Sequence, residues 1–303
     1  MLNFIKKKPL LTLLVILITI CIISLFYSVI VKEHIKADRI HITENGDNEF
    51  APFPPSIHHP LGTDRGGNDL VLRVLDGAKY TIFFITIVSL ARIIISITGA
   101  YLLVFPLKKV SNKIQLFLMP FQYIPAFVLV IILSPELIFL KTQMGYTKMI
   151  IIQLLIIIFV GFPILINTVS NEMKEIVKSS YIEASMHLGA SNWRILTKHI
   201  VPVMKNRLIS LFLQQISANL LLLIHLGVFK YFIGGIKPGN IAADPERDAK
   251  YLSQSGEWAG MIGQSINDIL TAPWILFSPL LLSVIFLIIV NVLSKQEVKL
   301  GEN

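Results

Sequence analysis

The chain has 303 residues, of which 54% are hydrophobic and 15% charged, with a formal net charge of +8 and a mean hydropathy of +0.69. A soluble protein of this size cannot bury so much apolar side chain, and the excess would form exposed patches that drive aggregation. A soluble globular enzyme is therefore excluded, and the composition is that of a polytopic, all-α integral membrane protein. The basic residues sit mainly in short segments beside apolar runs, which is an orientation pattern and not a nucleic-acid stripe, so no nucleic-acid partner is expected. A single cysteine, Cys21, excludes an intrachain disulfide and a multi-cysteine metal site.

A membrane span needs roughly 20 apolar residues. Six stretches meet this: 10–31, 80–105, 114–135, 149–171, 208–229 and 269–294. The first follows a basic tip, Lys6, Lys7 and Lys8, but it is long for a signal core and lacks an A-x-A-like exit. Ile18-Thr19-Ile20-Cys21 places a bulky isoleucine where a lipoprotein cleavage box needs a small residue, so a retained helix is expected. With the N-terminus inside, the inner segments collect Lys6–Lys8, Lys108, Lys109, Lys113, Lys174, Lys178, Arg194, Lys198, Lys205 and Arg207. The positive-inside rule then places both termini in the cytoplasm.

The organisation this predicts is a cytoplasmic tip and first helix (1–31), an extracytoplasmic segment with an interfacial element (32–79) and a five-helix core (80–294). The core includes a cytoplasmic loop (172–207) and an extracytoplasmic loop (230–268). A short cytoplasmic tail (295–303) follows.

Loop 172–207 reads as two short helices with a break. Ile176, Ile182 and Met186 can share a face of the first, and Gly189 stands where a helix C-terminus wants a residue tolerating positive φ. Ser191 can cap the second, on which Trp193, Leu196 and Ile200 share a face, and Pro202 is expected to end or kink it. Read bare, this is an amphipathic helix pair at the membrane surface.

Glu183-Ala184-Ser185, then Gly189 and Pro202, resemble the EAA loop of permease subunits of ABC importers. Serine stands at 185 where the family has alanine. The resemblance implies that these five residues couple to an ATPase: Glu183 as a polar contact, Ala184 as a close-packing site and Gly189 as the turn. Upstream, His59-Pro60-Leu61-Gly62-Thr63-Asp64, with Gly67, Asp69, Arg73, Gly77 and Ala78 in register, is similar to the outer segment of the oligopeptide/dipeptide/nickel permeases, in their C-type subunit. Glu257-Trp258-Ala259-Gly260 and Ala272-Pro273-Trp274 resemble that family's last outer loop and helix. The stretch from Gly227 to Gly235 and the tail beyond Asn291 depart from its pattern.

The resemblance implies a type I ABC importer permease fold with six transmembrane helices in the cell membrane. It implies one half of a pore, a B-type permease as the other half, two cytoplasmic ATPases and an extracytoplasmic substrate-binding lipoprotein. ATP would lie on the partner subunits, with no cofactor in this chain. Peptides are the implied cargo, with nickel or a metal chelate as an alternative. A degenerate permease acting as a membrane sensor or assembly component also stays open, as does a secondary carrier, although no inverted repeat is evident.

Within the membrane, Arg92 reads either as a gate or cargo-carboxylate contact, or as a structural pair with a partner permease or a helix carbonyl. Gln214, Gln215, Asn219 and His225 lie on the fifth span, lining a path or bonding between helices. Pro120, Pro125 and Pro135 predict kinks in the third. No phosphate-cradling loop, nucleophile elbow or H-E-x-x-H motif occurs, so no intrinsic catalysis is expected.

Overall fold

The computed structural model describes residues 9–31, 37–42, 48–134, 145–237 and 252–302. Helix α1 (Pro9–Phe26) runs on through one wide turn at Tyr27–Val31. A hairpin of β1 (Ile40–Ile42) and β2 (Asn48–Phe50) pairs antiparallel, with Ile40 opposite Phe50. Then come α2 (Leu70–Val104), α3 (Ser111–Leu118), α4 (Ala126–Leu133), α5 (Tyr146–Val177), α6 (Ser180–His187), α7 (Asn192–Ile195) and α8 (Val201–Val228). A second small hairpin, β3 (Ile236–Lys237) with β4 (Leu252–Ser253), precedes α9 (Trp258–Gln264) and α10 (Pro273–Glu302). The tip cations Lys6–Lys8, residue Pro135 and most of the charged stretch of loop 230–268 lie outside the described residues.

Among the described residues, five helical segments are long and apolar enough to cross a membrane: Leu10–Val31, Leu70–Val104, Tyr146–Val177, Asn192–Val228 and Pro273–Lys299. The third predicted span is broken rather than kinked. Ser111–Gln122 and Ala126–Leu133 meet at 94° and count as a sixth span only if taken together. Pro120 sits in a tight 3-10 turn, Met119–Gln122, closed by Tyr123 N–H on the Pro120 carbonyl at 3.1 Å. Pro125 then opens a new helix, because proline has no N–H to give and keeps the residue before it out of the helical region.

Two of the differences from the sequence reading have a clear local cause. Helix α2 starts ten residues before the predicted span, because Asp69 caps it by accepting from Val71 N and Leu72 N. Its 35 residues are about 50 Å long at 1.5 Å each, more than a bilayer core of about 30 Å, so its charged first turns stand outside the apolar layer. Pro202 does not end its helix. Residues Asn192–Val228 form one apolar helical segment, with a π turn at Leu196–Ile200 just before the proline. The wider turn relieves the clash between the proline ring and the preceding carbonyls.

Helix α2 packs along α5, and α8 packs against α9 and α10. Chain direction alternates, so the bundle has two ends. At one, Ala100, Val169 and Met173 bury against Ile182, Ile195 and Ile200. At the other, Leu70, Ala272 and Ile275 pack beneath Leu61 and Trp274. Lipid is as apolar as leucine, so inside the membrane this packing supplies shape and dispersion contacts, and hydrogen bonds set the specificity.

Candidate functional site

The α6–α7 elbow closes the first end. Helix α6 finishes with Gly189 N–H on the Met186 carbonyl (2.9 Å) and Ala190 N–H on the Ser185 carbonyl (3.1 Å). Gly189 takes φ +83° in this C-terminal motif, a conformation a side chain would strain. Ser191 caps α7 by accepting from Arg194 N at 3.3 Å. Ile182, Ile195, Leu196 and Ile200 are buried beneath the elbow. Glu183, Ala184 and Pro202 face outward, while Ser185 donates to the Tyr181 carbonyl at 2.8 Å.

Ile176 belongs to the end of α5, not to α6, but joins Ile182 and Met186 in one cluster. Trp193 does not share the buried face expected for it. It is 63% exposed and meets Tyr101 edge-on at 6.1 Å, whereas Leu196 and Ile200 are buried. The π turn between these positions shifts the periodicity that the spacing assumed. Leu188, 89% exposed, and Tyr181 complete an apolar rim on this elbow.

Arg92 lies among three helices and is only 4% exposed. Its Nη1 donates to Asn219 Oδ1 (2.6 Å) and Gln215 Oε1 (3.0 Å) on α8, and its Nη2 to the Ile157 carbonyl on α5 (2.5 Å). Asn219 Nδ2 in turn donates to Ser89 Oγ at 2.9 Å, which settles the orientation of the amide. These bonds engage both terminal nitrogens of the guanidinium, while its buried Nε has no hydrogen-bond partner among the described residues. Gln215 and Asn219, one helical turn apart, thus act together. His225 is elsewhere, stacked on Phe127 of α4 at 5.5 Å.

The opposite end is a polar clamp. Buried Asp64 accepts from Gly66 N, Asn68 N and Asn68 Nδ2, and pairs with Arg73. His59 Nδ1 lies 2.8 Å from the helix-capping Asp69. Arg65 pairs with Asp268, and Trp274 Nε1 donates to the Thr63 carbonyl at 3.2 Å, fastening this segment to the last loop and helix.

One buried polar residue, Gln153, escaped the sequence reading, and a second, Glu257, entered it only within the resemblance to the last outer loop. Gln153 donates to the Phe232 carbonyl and accepts from Gly234 N, both at 2.8 Å. Glu257 accepts from Ile233 N (3.0 Å), Ser253 Oγ (2.5 Å) and Ser255 Oγ. Burial pushes the Glu257 carboxyl above its ordinary range, outweighing those hydrogen bonds. A lone polar residue in an apolar run was the signal for Gln153, whereas Glu257 stands in a polar loop.

The molecule is a multi-pass helical bundle with a capped, outward-facing elbow at one end and a clamped loop system at the other. The chain belongs to the family described as binding-protein-dependent transport system inner membrane component, which matches residues 92–296. It is a multi-pass protein of the cytoplasmic membrane. It is 27% identical over 155 residues to the inner membrane ABC transporter permease protein YejE of Escherichia coli K12, covering 51% of this chain and 43% of that protein. It is 26% identical over 227 residues to the probable D,D-dipeptide transport system permease protein DdpC of the same organism, covering 73% of this chain and 65% of that protein. The chain thus spans less than two thirds of either relative.

Proposed function

We propose that the chain is a permease subunit of an ATP-driven importer of peptides, forming half of the pore with a B-type permease. Two cytoplasmic ATPases complete the complex, one docked on loop 172–207, and an extracytoplasmic lipoprotein delivers the cargo. The observation that carries this reading is the elbow itself. Glu183, Ala184, Leu188 and Trp193 are exposed, while Ile182 and Ile195 anchor the same two short helices in the core. A push on the exposed face therefore moves the ends of α5 and α8 together. ATP binding acts by favouring one of two packed states of the pore through differential contacts. The peptide cargo is supported by the outer-segment resemblance and by the printed name of the dipeptide-permease relative.

The test is purification of the tagged chain from its native membranes, as wild type and as Ala184→Arg. Residue 184 is exposed, so the variant keeps the fold. Co-purification of an ATPase with the wild type, reduced in the variant, together with short-peptide uptake that requires the chain, is the expected result. Partners indifferent to the substitution would overturn the docking role. Uptake that survives deletion of the chain would favour a sensor.

A further inference from the structure

Helix α8 carries a second polar face, apart from the Arg92 cluster. Gln214, Ala218, Leu221 and His225 are all exposed. Steps of four, three and four residues place them on one stripe of the helix. The exposed residues of α10 that pass the same depth are Leu281, Val284, Ile285 and Ile288, a surface suited to lipid. Gln214 Nε2 donates to Ser210 Oγ at 3.1 Å within the helix, but an amide oxygen and an imidazole facing lipid at that depth would still be costly, so the α8 stripe faces something polar.

The broken third span supplies an independent observation. Its elbow lies on the bundle surface level with the Arg92 cluster, since Phe121 meets Phe159 edge-on at 6.3 Å, two residues from the Ile157 carbonyl that holds Arg92. There the chain leaves helical geometry at Tyr123–Pro125, and Gln122 and Tyr123 are exposed, Tyr123 by 74%. Non-helical backbone at membrane depth is tolerated only where protein buries it or where it lines water. The elbow and the stripe adjoin: Phe127, just past the elbow, stacks with both His225 and Phe229, ring centroids 5.5 Å apart in each pair.

We propose that the water-lined cargo path runs between the elbow Gln122–Pro125 and the α8 stripe, with His225 and Phe127 at its narrow part. The Arg92, Gln215 and Asn219 group lies on the other face of α8 and locks the helices without touching cargo. The inference rests on the permease reading. The lining offers amide, phenol and imidazole groups and no carboxylate among these residues, which suits an amide-rich cargo better than a bare divalent cation.

Cysteine accessibility tests it in the assembled complex in native membranes, after Cys21→Ala removes the one natural thiol. Ala218→Cys and, as a second variant, Leu221→Cys are exposed to a water-soluble quaternary-ammonium methanethiosulfonate, with Leu281→Cys on α10 as the lipid-facing control. A thiol in water ionises and one in lipid does not, so labelling at 218 and 221 is expected to be about tenfold faster or more than at 281. Peptide uptake should fall after labelling at 218 or 221 alone. Equal, slow labelling at all three positions would mean that a partner helix seals this face, and would overturn the path. Fast labelling at 218 and 221 in a chain that uptake does not require would support the water-lined face and overturn the permease reading instead.

Discussion

Arg92 occupies the space that a side chain at position 161 would fill: a Cβ there would lie 1.9 Å from its Cζ. Gly161 on α5 thus lets the guanidinium reach the Ile157 carbonyl while it also bridges to α8. Gly161→Ala should drive the guanidinium out, costing about 1–3 kcal/mol for the overpacking and about 1–3 kcal/mol for each buried acceptor left bare. Arg92→Ala should be destabilising too, but adding it to Gly161→Ala should cost less than it does alone, because the clash has gone. Thermal midpoints of the purified protein in detergent measure all three, and strictly additive losses would contradict the contact.

Asp64 gathers the outer segment by accepting from two backbone N–H groups and from Arg73. Asp64→Ala removes the acceptor these part-buried donors share, a loss of about 0.5–1.5 kcal/mol per neutral hydrogen bond because water can reach the donors. Limited proteolysis should cut the segment near Gly66–Asn68 faster in the variant than in the wild type. Asp64→Asn should fall between them, since it keeps one acceptor oxygen. Identical cleavage rates would remove Asp64 from its organising role.

Glu257 makes the loop–α9 junction sensitive to pH. Burial raises its native pKa above the unfolded value of about 4.3. The proton is therefore bound more tightly in the folded state, and its stabilisation is complete below the unfolded pKa. It is lost as pH rises through the raised native value. Thermal midpoints should show this component falling from acidic towards neutral buffer, and Glu257→Gln should remove it. A Glu257→Gln profile parallel to that of the wild type would rule the carboxyl out as its source.

Ile182 anchors α6 with no exposed surface. Ile182→Ala should cost about 2–5 kcal/mol as a buried large-to-small change and weaken ATPase retention without altering any exposed elbow residue. Ala184→Arg should weaken retention with an unchanged thermal midpoint. A fall in midpoint for Ala184→Arg would show that position 184 is packed in the folded chain.

Much of this architecture was legible in the residues themselves. Long apolar runs, one of them broken by Arg92, marked the five long helices among the described residues, because a backbone in lipid must satisfy its own hydrogen bonds and a helix does so locally. The Gly189 turn and the Ser191 cap were readable for the same reason: both are decided within a few residues. The start of α2 at Leu70 was not, since its charged first turns fall below any hydropathy threshold while still forming helix under the Asp69 cap.

What the tertiary structure alone decided is which polar residues meet. Arg92, Ile157 and Asn219 stand far apart in the chain, and only the packing of α2, α5 and α8 brings them within hydrogen-bond reach. Gln215 faces that cluster while Gln214, its neighbour, turns away from it. A helix sends successive side chains about 100° apart, and the neighbours that claim each direction come from distant sequence. Whether the prolines of the third span bend it or break it, and whether Pro202 ends its helix, was likewise settled by the turns that surround them.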